Sequence, residues 1–202
     1  MHPRFLDMVD KARARGVKVS FITNGSFLTP EAVERLLGAG IEKISVSMES
    51  PEAAEFQRIR GGKLDKVLRN LEGLMESRRA RGLDRPVVGL SVTVLSSTQD
   101  KLPAIVGLYR KLGLDGGITI QPLQRMESYT AAYGPAMQAE ALSPDEVEQA
   151  WIRFRANKEM RAIARERPPV SGFFDELMEG WSPTSRKCPW LEQGLYVNRD
   201  GH

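Results

Sequence analysis

The hydrophobic and polar positions of the chain switch repeatedly between a helical period and short apolar runs. HPRFLDMVDKARARG has apolar residues at helical spacing, and Gly16 follows where a helix would end. VKVSFI is a β-branched run that TNGS interrupts. Thr29, Pro30 and Glu31 then supply a helix cap, a first-turn proline and a first-turn acid. This opening predicts a helix, a strand and a second helix.

The same alternation continues to Leu123. The apolar runs IEKISVSM, RPVVGLSVTVL and GITIQPL predict further strands. One stripe of leucines from Leu64 to Leu74 predicts a long helix between the first two runs, and KLPAIVGLYRKLG predicts another. The expected strands are 17–22, 42–48, 87–95 and 118–122. Strands alternating with helices are typical of βαβ units, so we expect an α/β fold with a curved parallel sheet and outer helices.

The pattern changes after Leu123. QRMESYTAAYGPAMQAEA has no clean period and is expected to form a long irregular segment. Ser143, Pro144 and Glu146 form a capping box that predicts a helix carrying Val147, Trp151 and Phe154. The Pro- and Gly-rich remainder is expected to connect into a further unit.

Composition indicates an ordinary soluble globular protein. The chain has 202 residues, of which 41% are hydrophobic and 27% are charged. No apolar run approaches the ~20 residues of a membrane span, and no secretory signal is present, so we expect a cytoplasmic protein without a membrane partner. The net charge of +3 is spread among acidic residues, which does not indicate nucleic-acid binding. A single cysteine cannot form an internal disulfide.

Candidate chemistry lies where the predicted strands end, because parallel α/β folds bind ligands at the carboxyl ends of their strands. The polar groups there are short and uncharged for the most part. Each also has a purely structural interpretation, since Asn-Gly is a common turn and a serine after a strand is often a helix cap. The four places are Thr23-Asn24-Gly25, Ser47-Met48-Glu49-Ser50, Ser96-Ser97 and Gln121-Pro122-Leu123-Gln124.

In their order and spacing these segments resemble the radical S-adenosylmethionine (radical SAM) enzymes, in particular the branch with a C-terminal SPASM or twitch domain. FITNGSFL resembles the third strand of that family's barrel, and GIEKISVSMES resembles the fourth, which usually ends in a pattern like ISLDG. Met48, Glu49 and Ser50 replace its Leu, Asp and Gly, which we expect to loosen the following loop. FQRIRGGKLDKVLRNLEGL and VGLSVTVLSSTQDKLPAIVGLYRKLGLDGGITIQPL resemble the segments that follow.

Both ends of the chain also resemble internal parts of such enzymes. CPWLEQGLYVNRDGH is similar to the beginning of a SPASM cysteine motif, and MHPRF is similar to a sequence that follows the family's GGEP motif. The resemblance therefore implies a fragment truncated at both ends. It would consist of a partial (β/α) barrel over 1–140, a helical linker over 141–187 and the start of a SPASM domain over 188–202.

The resemblance implies two cofactors, S-adenosylmethionine and a 4Fe-4S cluster. In the family a CxxxCxxC loop holds the cluster, which chelates S-adenosylmethionine and reductively cleaves it to a 5′-deoxyadenosyl radical for hydrogen abstraction. An electron donor and a peptide or protein substrate are the implied partners. Because this chain lacks that loop and has Cys188 as its only thiol, we expect it to be inactive alone.

Six residues are implied to bind S-adenosylmethionine. Ser47 would contact the ribose or the carboxylate, and Ser45 points to the same face by strand alternation. Thr23 and Asn24 would lie beside the cofactor, and Leu123 would pack near its adenine. The sixth residue is Arg60.

Arg60 and Cys188 each have an alternative interpretation. Arg60 would pair with the methionine carboxylate through its planar fork, but it could equally be a surface arginine on a helix. Cys188 would bind an auxiliary cluster in the full-length protein, whereas a lone cysteine is more often a small buried hydrophobe.

Two other functions stay open at this point. One is an iron-free phosphate-binding α/β enzyme, although the loops lack a glycine-rich phosphate cradle. The other is a non-catalytic half-barrel that serves as a binding module. Cysteine motifs encoded beyond the two ends of the chain would favour the radical SAM hypothesis over both.

Overall fold

The computed structural model describes residues 4–123, 134–158 and 161–162. Four strands and seven helices alternate through this part of the chain, with one 3-10 helix at Ser96–Lys101. The strands are β1 Ser20–Thr23, β2 Lys43–Ser47, β3 Val87–Val94 and β4 Ile118–Pro122. The helices are α1 Phe5–Arg13, α2 Pro30–Gly38, α3 Ala53–Arg60, α4 Leu64–Ala80, α5 Leu102–Lys111, α6 Pro135–Gln138 and α7 Pro144–Ala156.

The four strands form one parallel sheet in the order β1-β2-β3-β4. Each strand therefore pairs with the next strand along the chain. Since crossovers between parallel strands are almost always right-handed, steps in one direction place their helices on one face of the sheet. The predicted α/β class with parallel strands and outer helices is confirmed.

Strand positions agree with the sequence pattern except at the start of β1. The pattern predicted a strand from residue 17, but β1 begins at Ser20. Gly16 has a φ of +73°, and the Val17 N–H donates to the Ala12 carbonyl at 3.0 Å. Gly16 and Val17 therefore belong to the C-terminal turn of α1. The β-branched residues of VKVSFI predicted a strand start that is too early, because they do not reveal where that turn ends.

The hydrophobic periodicity did not predict helix α3, because a helix of 8 residues with one buried side chain forms no apolar stripe. Phe56 is its one buried residue, and the helix ends at Gly61, whose φ of +67° is the left-handed conformation of a helix terminus. Helix α6 is a short helix inside segment 124–141, which was expected to be irregular, whereas the other helices follow their sequence signals. Thr29 caps α2 by accepting from the Ala32 N–H, and Ser143 forms the expected reciprocal cap with Glu146.

The hydrophobic core lies between the helices and one face of the sheet. Ile44, Val46 and Leu90 project from neighbouring strands to this face, and each is 0% exposed. Leu71 and Leu74 of α4 are equally buried and belong to the same cluster. The alternate residues of each strand point to the opposite face of the sheet, away from the helices.

A buried ion pair joins α4 to the chain that enters β4. Arg78 donates to both carboxylate oxygens of Asp115, at 3.0 and 2.8 Å, and to the Pro86 carbonyl at 2.7 Å. Asp115 also accepts from the Val88 N–H at 2.9 Å. Because both side chains are nearly excluded from water, each charge is stabilised mainly by the opposite charge of the other.

Helix α7 packs onto the same core. Leu142 and Ala150 belong to the main hydrophobic cluster, and Val147 contacts it. The division at 140/141 stays a prediction, and the core cluster includes Leu142 and Ala150 beyond that boundary. The side chains of Trp151 and Phe154, and all of residues 163–202 including Cys188, lie outside the described residues. Among the helices that are described, none is both long and apolar enough to cross a membrane.

Candidate functional site

A row of hydroxyl groups crosses the sheet on the face opposite the core. Ser47 of β2 is aligned with Ser91 of β3, which is in turn aligned with Thr119 of β4. Aligned residues of neighbouring parallel strands point to the same side and are about 4.8 Å apart. The strands thus present three hydroxyls side by side, and we call Ser47, Ser91 and Thr119 the hydroxyl row. Ser47 and Ser91 are 9% and 7% exposed.

Further polar positions flank the hydroxyl row on the same face. Ser45 precedes Ser47 by two residues and therefore points to the same face, as the strand alternation predicted. It is aligned with Gly89 of β3. Thr93 is aligned with Gln121 nearer the carboxyl end. Gly89 has no side chain because the backbone entering β4 approaches it: an added Cβ would lie 2.5 Å from the Gly117 carbonyl oxygen.

Thr23 and Asn24 are used to build the turn after β1. The Thr23 hydroxyl accepts from the Gly25 N–H at 3.2 Å, and the side-chain amide oxygen Oδ1 of Asn24 accepts from the Ser26 N–H at 3.1 Å. Thr23 is aligned with Val46, so its side chain points to the helix-facing side of the sheet. The structure therefore does not place the Thr23 side chain with Ser45 and Ser47, whereas Asn24 is exposed at the carboxyl edge.

The loop after β2 is held firmly, contrary to the expected loosening. Glu49 is 2% exposed and Ser50 is 0% exposed. The Ser50 hydroxyl accepts from the Glu52 N–H at 3.1 Å, and the Glu49 carboxylate accepts two hydrogen bonds from Arg60. Glu49 and Ser50 thus substitute for the family's Asp-Gly with contacts of their own.

Arg60 is therefore not a free surface arginine. Its Nε donates to Oε2 of Glu49 at 2.5 Å, and its Nη2 donates to Oε1 of the same carboxylate. The Arg60 side chain is 32% exposed, whereas that of Glu49 is 2% exposed. A role in binding a ligand carboxylate would have to be combined with this ion pair.

Leu123 lies at the carboxyl end of β4, as expected. Its N–H donates to the Val94 carbonyl at 2.9 Å, which continues the ladder one residue beyond the strand. The neighbouring Gln124 lies outside the described residues. Leu123 follows the last residue of β4, whereas Thr119 of the hydroxyl row is the second residue of that strand, so Leu123 lies four residues further toward the carboxyl edge.

Ser96 and Ser97, the polar pair after β3, bind the segment before α7. The Ser97 N–H donates to Glu140 at 3.0 Å, and the Ser97 hydroxyl accepts from Arg58, which also pairs with Glu140 at 2.9 Å. Burial alone would raise the pKa of Glu140, but the hydrogen bonds from Ser97 and Arg58 outweigh it and lower that pKa. This pair has a structural role here.

Lys43 is a buried cation at the opposite end of the second strand. It is 9% exposed and lies on the same face as Ser45, aligned with Ser20 and Val87. Burial disfavours its charged form and lowers its pKa. Because Lys43 lies at the amino end of β2, it is separated from the carboxyl edge where Ser47 lies.

The described residues fit an organic polar ligand better than an iron-sulfur cluster. No group of three His, Cys, Asp or Glu side chains able to hold a metal occurs among the residues that the structure describes. Hydroxyls such as those of Ser47 and Ser91 can exchange hydrogen bonds with a ribose, and a guanidinium can bind a carboxylate. Both groups are parts of S-adenosylmethionine.

Sequence reasoning missed most of the hydroxyl row. Ser91 and Thr119 lie in runs whose apolar character predicts strands, although the residues between the apolar ones in LSVTV and ITIQ are polar. That alternation is the signal of a sheet with two different faces, and it could have identified them. The signal is weak, because strands of parallel sheets are buried on both faces, as β2 and β3 are, and small hydroxyl residues are common in such apolar runs.

The chain belongs to the radical SAM superfamily. Its residues 1–105 match the family model described as "Radical SAM superfamily", which is more than half of the chain. The matched region contains β1, β2 and β3, and therefore Ser47, Ser91 and Arg60.

Individual relatives agree with this family. A tungsten-containing aldehyde ferredoxin oxidoreductase cofactor-modifying protein of Pyrococcus furiosus is 30% identical over 116 residues, which cover 57% of this chain and 33% of that protein. Mycofactocin maturase of Mycobacterium tuberculosis is 36% identical over 75 residues, covering 37% of this chain and 19% of the relative. The chain thus matches a third or less of these relatives' length.

A solved structure shares the fold. A domain of pyruvate-formate lyase-activating enzyme from Bacteroides vulgatus superposes with a TM-score of 0.51 at 10% sequence identity. The similarity covers 79% of this chain and 84% of that domain. At such low identity the comparison shows the α/β fold alone.

Proposed function

We propose that this chain supplies part of the S-adenosylmethionine site in a longer radical SAM iron-sulfur enzyme. Membership of the superfamily supports S-adenosylmethionine-dependent radical chemistry. The observation that carries the proposal is the hydroxyl row, since Ser47 and Ser91 are brought together at the face where the resemblance puts the cofactor. Ser47 is the last residue of β2, and ligands of parallel α/β folds bind at the carboxyl ends of the strands.

Each candidate residue is assigned one part of the cofactor. The hydroxyl of Ser47 would bind the ribose or the carboxylate, and Ser45 would line the same face. The exposed amide of Asn24 would approach from the neighbouring loop, and Leu123 would contact the adenine. Arg60 would bind the methionine carboxylate. Thr23 would act indirectly, because its hydroxyl shapes the turn that presents Asn24.

The radical-generating cluster would be bound by residues outside this sequence. A 4Fe-4S cluster with one open iron needs three thiolates, and the sequence contains one cysteine. Cys188 would instead be a ligand of an auxiliary cluster in a SPASM domain that begins near residue 188. On this proposal the chain as given binds S-adenosylmethionine but does not cleave it.

The substrate class is proposed from the relatives. One is named a maturase and another a cofactor-modifying protein. We propose a peptide or protein substrate for the whole enzyme, together with a protein or chemical electron donor that reduces its cluster. The cytoplasm, where thiolates stay reduced, would suit such a cluster.

Anaerobic reconstitution tests this function. The present chain and a chain extended at both ends through its cysteine motifs would be incubated with iron, sulfide, S-adenosylmethionine and dithionite. We expect 5′-deoxyadenosine from the extended chain and none from the present one. Ser47→Ala in the extended chain should reduce the rate at least about tenfold, whereas Ser77→Ala on α4 should leave it unchanged. An extended chain that forms a cluster without producing 5′-deoxyadenosine would contradict the proposal.

A further inference from the structure

Glu49 and Arg60 meet through one particular edge of the guanidinium. Nε and Nη2 of Arg60 donate to the two oxygens of the Glu49 carboxylate, which is the side-on geometry of a bidentate pair. Glu49 is 2% exposed at its side chain, while Arg60 is 32% exposed. The carboxylate is thus the buried partner, and the arginine side chain is the partly exposed one.

The other edge of the guanidinium remains available. Arginine has five N–H donors in a planar fork, and the ion pair with Glu49 uses two of them. The remaining three, two on Nη1 and one on Nη2, form the end-on edge. No residue in the described ranges 4–123, 134–158 and 161–162 accepts a hydrogen bond from that edge of Arg60. A second carboxylate can therefore bind Arg60 without displacing Glu49.

Burial makes Glu49 a fixed support rather than a competitor. A carboxylate that is 2% exposed has little water to replace the two hydrogen bonds from Arg60, so its release would leave a buried charge without a partner. The pair also joins the end of β2 to the last turn of α3, since Arg60 is the final residue of that helix. The orientation of the fork is consequently set by Glu49.

We propose that Glu49 is a positioning residue that directs the end-on edge of Arg60 toward the α-carboxylate of S-adenosylmethionine. This inference rests on the proposed function. Glu49 follows Ser47 by two residues, which is about 6 to 7 Å of extended chain, so Arg60 is anchored close to the hydroxyl row. Arg60 then holds two carboxylates at once, one from the protein and one from the ligand.

Two ligands, one with and one without the amino-acid part of S-adenosylmethionine, test this role on the full chain. S-adenosylmethionine carries the α-carboxylate, whereas 5′-methylthioadenosine keeps the adenosine and its sulfur but lacks the sulfonium charge and the aminocarboxypropyl group that bears the carboxylate. Calorimetric titration should show that Glu49→Gln weakens S-adenosylmethionine binding about tenfold and leaves 5′-methylthioadenosine binding unchanged. Glu49→Asp, which keeps the charge, should restore most of the affinity. Arg69→Met on the exposed side of α4 is the matched control and should change neither ligand.

A double-variant cycle separates positioning from a direct contact. Arg60→Met should weaken S-adenosylmethionine as much as Glu49→Gln does, and the double variant should be no weaker than Arg60→Met alone, because Glu49 acts through Arg60. Unchanged affinity in Glu49→Gln, with wild-type binding intact, would overturn the positioning role and leave the proposed function standing. Equal weakening of both ligands would also overturn it, as a purely structural effect. Failure of the wild-type chain to bind either ligand would overturn both proposals.

Discussion

Ser47 and Ser91 are aligned in the parallel register of β2 and β3, on the face of the sheet that lies away from the helices. Both residues are largely buried although both are polar. Their alignment means that two strands separated by α3 and α4 contribute to one hydroxyl row. The proposed cofactor site is therefore a property of strand register, and single-residue changes within the row should affect ligand binding more than folding.

Ser91→Ala should weaken S-adenosylmethionine binding about three- to tenfold, because it removes one neutral hydrogen-bonding group from the hydroxyl row. Calorimetric titration measures the change. Thermal unfolding should shift little, since the lost hydroxyl has small volume. Ser77→Ala on α4 serves as the control. Equal affinities of the two variants would exclude Ser91 from the site.

Gly25→Ala should destabilise the fold by about 2 to 3 kcal/mol, since it combines backbone strain with a clash. Gly25 has a φ of +75°, and an added Cβ would lie 2.8 Å from Cγ1 of Val67. Gly73→Ala, in α4 with nothing within 4 Å of the new Cβ, should instead stabilise by about 0.5 to 1 kcal/mol. Urea unfolding measures the free energy of unfolding of both variants. Equal changes in the two variants would contradict the turn geometry at Gly25.

The Arg78–Asp115 pair should show strong coupling in a double-mutant cycle. Arg78→Met or Asp115→Asn alone leaves a buried partner uncompensated, so each should lower the free energy of unfolding by about 3 kcal/mol. The double variant should lose clearly less than the sum of the two. Additive losses in urea unfolding would show that the two side chains act independently.

Lys43→Met should stabilise the protein at neutral pH, and the gain should shrink as the pH rises. Burial lowers the pKa of Lys43 below its ordinary value of 10.5, so the folded state binds this proton less tightly than the unfolded state. The penalty is present in full at pH values below the lowered pKa and disappears as the pH approaches 10.5.

Thermal unfolding between about pH 7 and pH 10 measures this dependence. Lys66→Met, at an exposed position of α4, is the matched control and should show no comparable trend. A gain for Lys43→Met that stays constant over the whole range would mean that the ammonium group is not disfavoured by burial.

The sequence was sufficient to predict the four strands and the parallel α/β class, because the strand and helix patterns are encoded locally. Thr29 and Ser143 predicted the starts of their helices, and the structure confirms both capping hydrogen bonds. The hydrophobic periodicity did not predict helix α3, because Phe56 is its one buried residue and one residue forms no apolar stripe. Local patterns therefore predict helices with several core residues and can miss a short helix that contributes one.

The candidate site was less predictable than the fold, since it depends on contacts between elements. Ser45 and Ser47 could be placed on one face from alternation within a single strand. Ser91 required the register between two strands, and the Arg60–Glu49 pair required the position of a helix that the sequence did not predict. Thr23 was grouped with the serines because it ends a strand, but the register turns its side chain to the helices.

Chemical-shift mapping of the bound ligand is the most direct measurement of where S-adenosylmethionine binds. The ¹H–¹⁵N spectrum of the ¹⁵N-labelled chain would be recorded during titration with S-adenosylmethionine. We expect the largest shifts at the amides of Ser47, Ser91 and Leu123, with little change at Lys43 and Val87 near the amino ends of the strands. Shifts confined to those amino ends or to the outer helices, or a spectrum that does not change at saturating ligand, would contradict the assignment of the cofactor site.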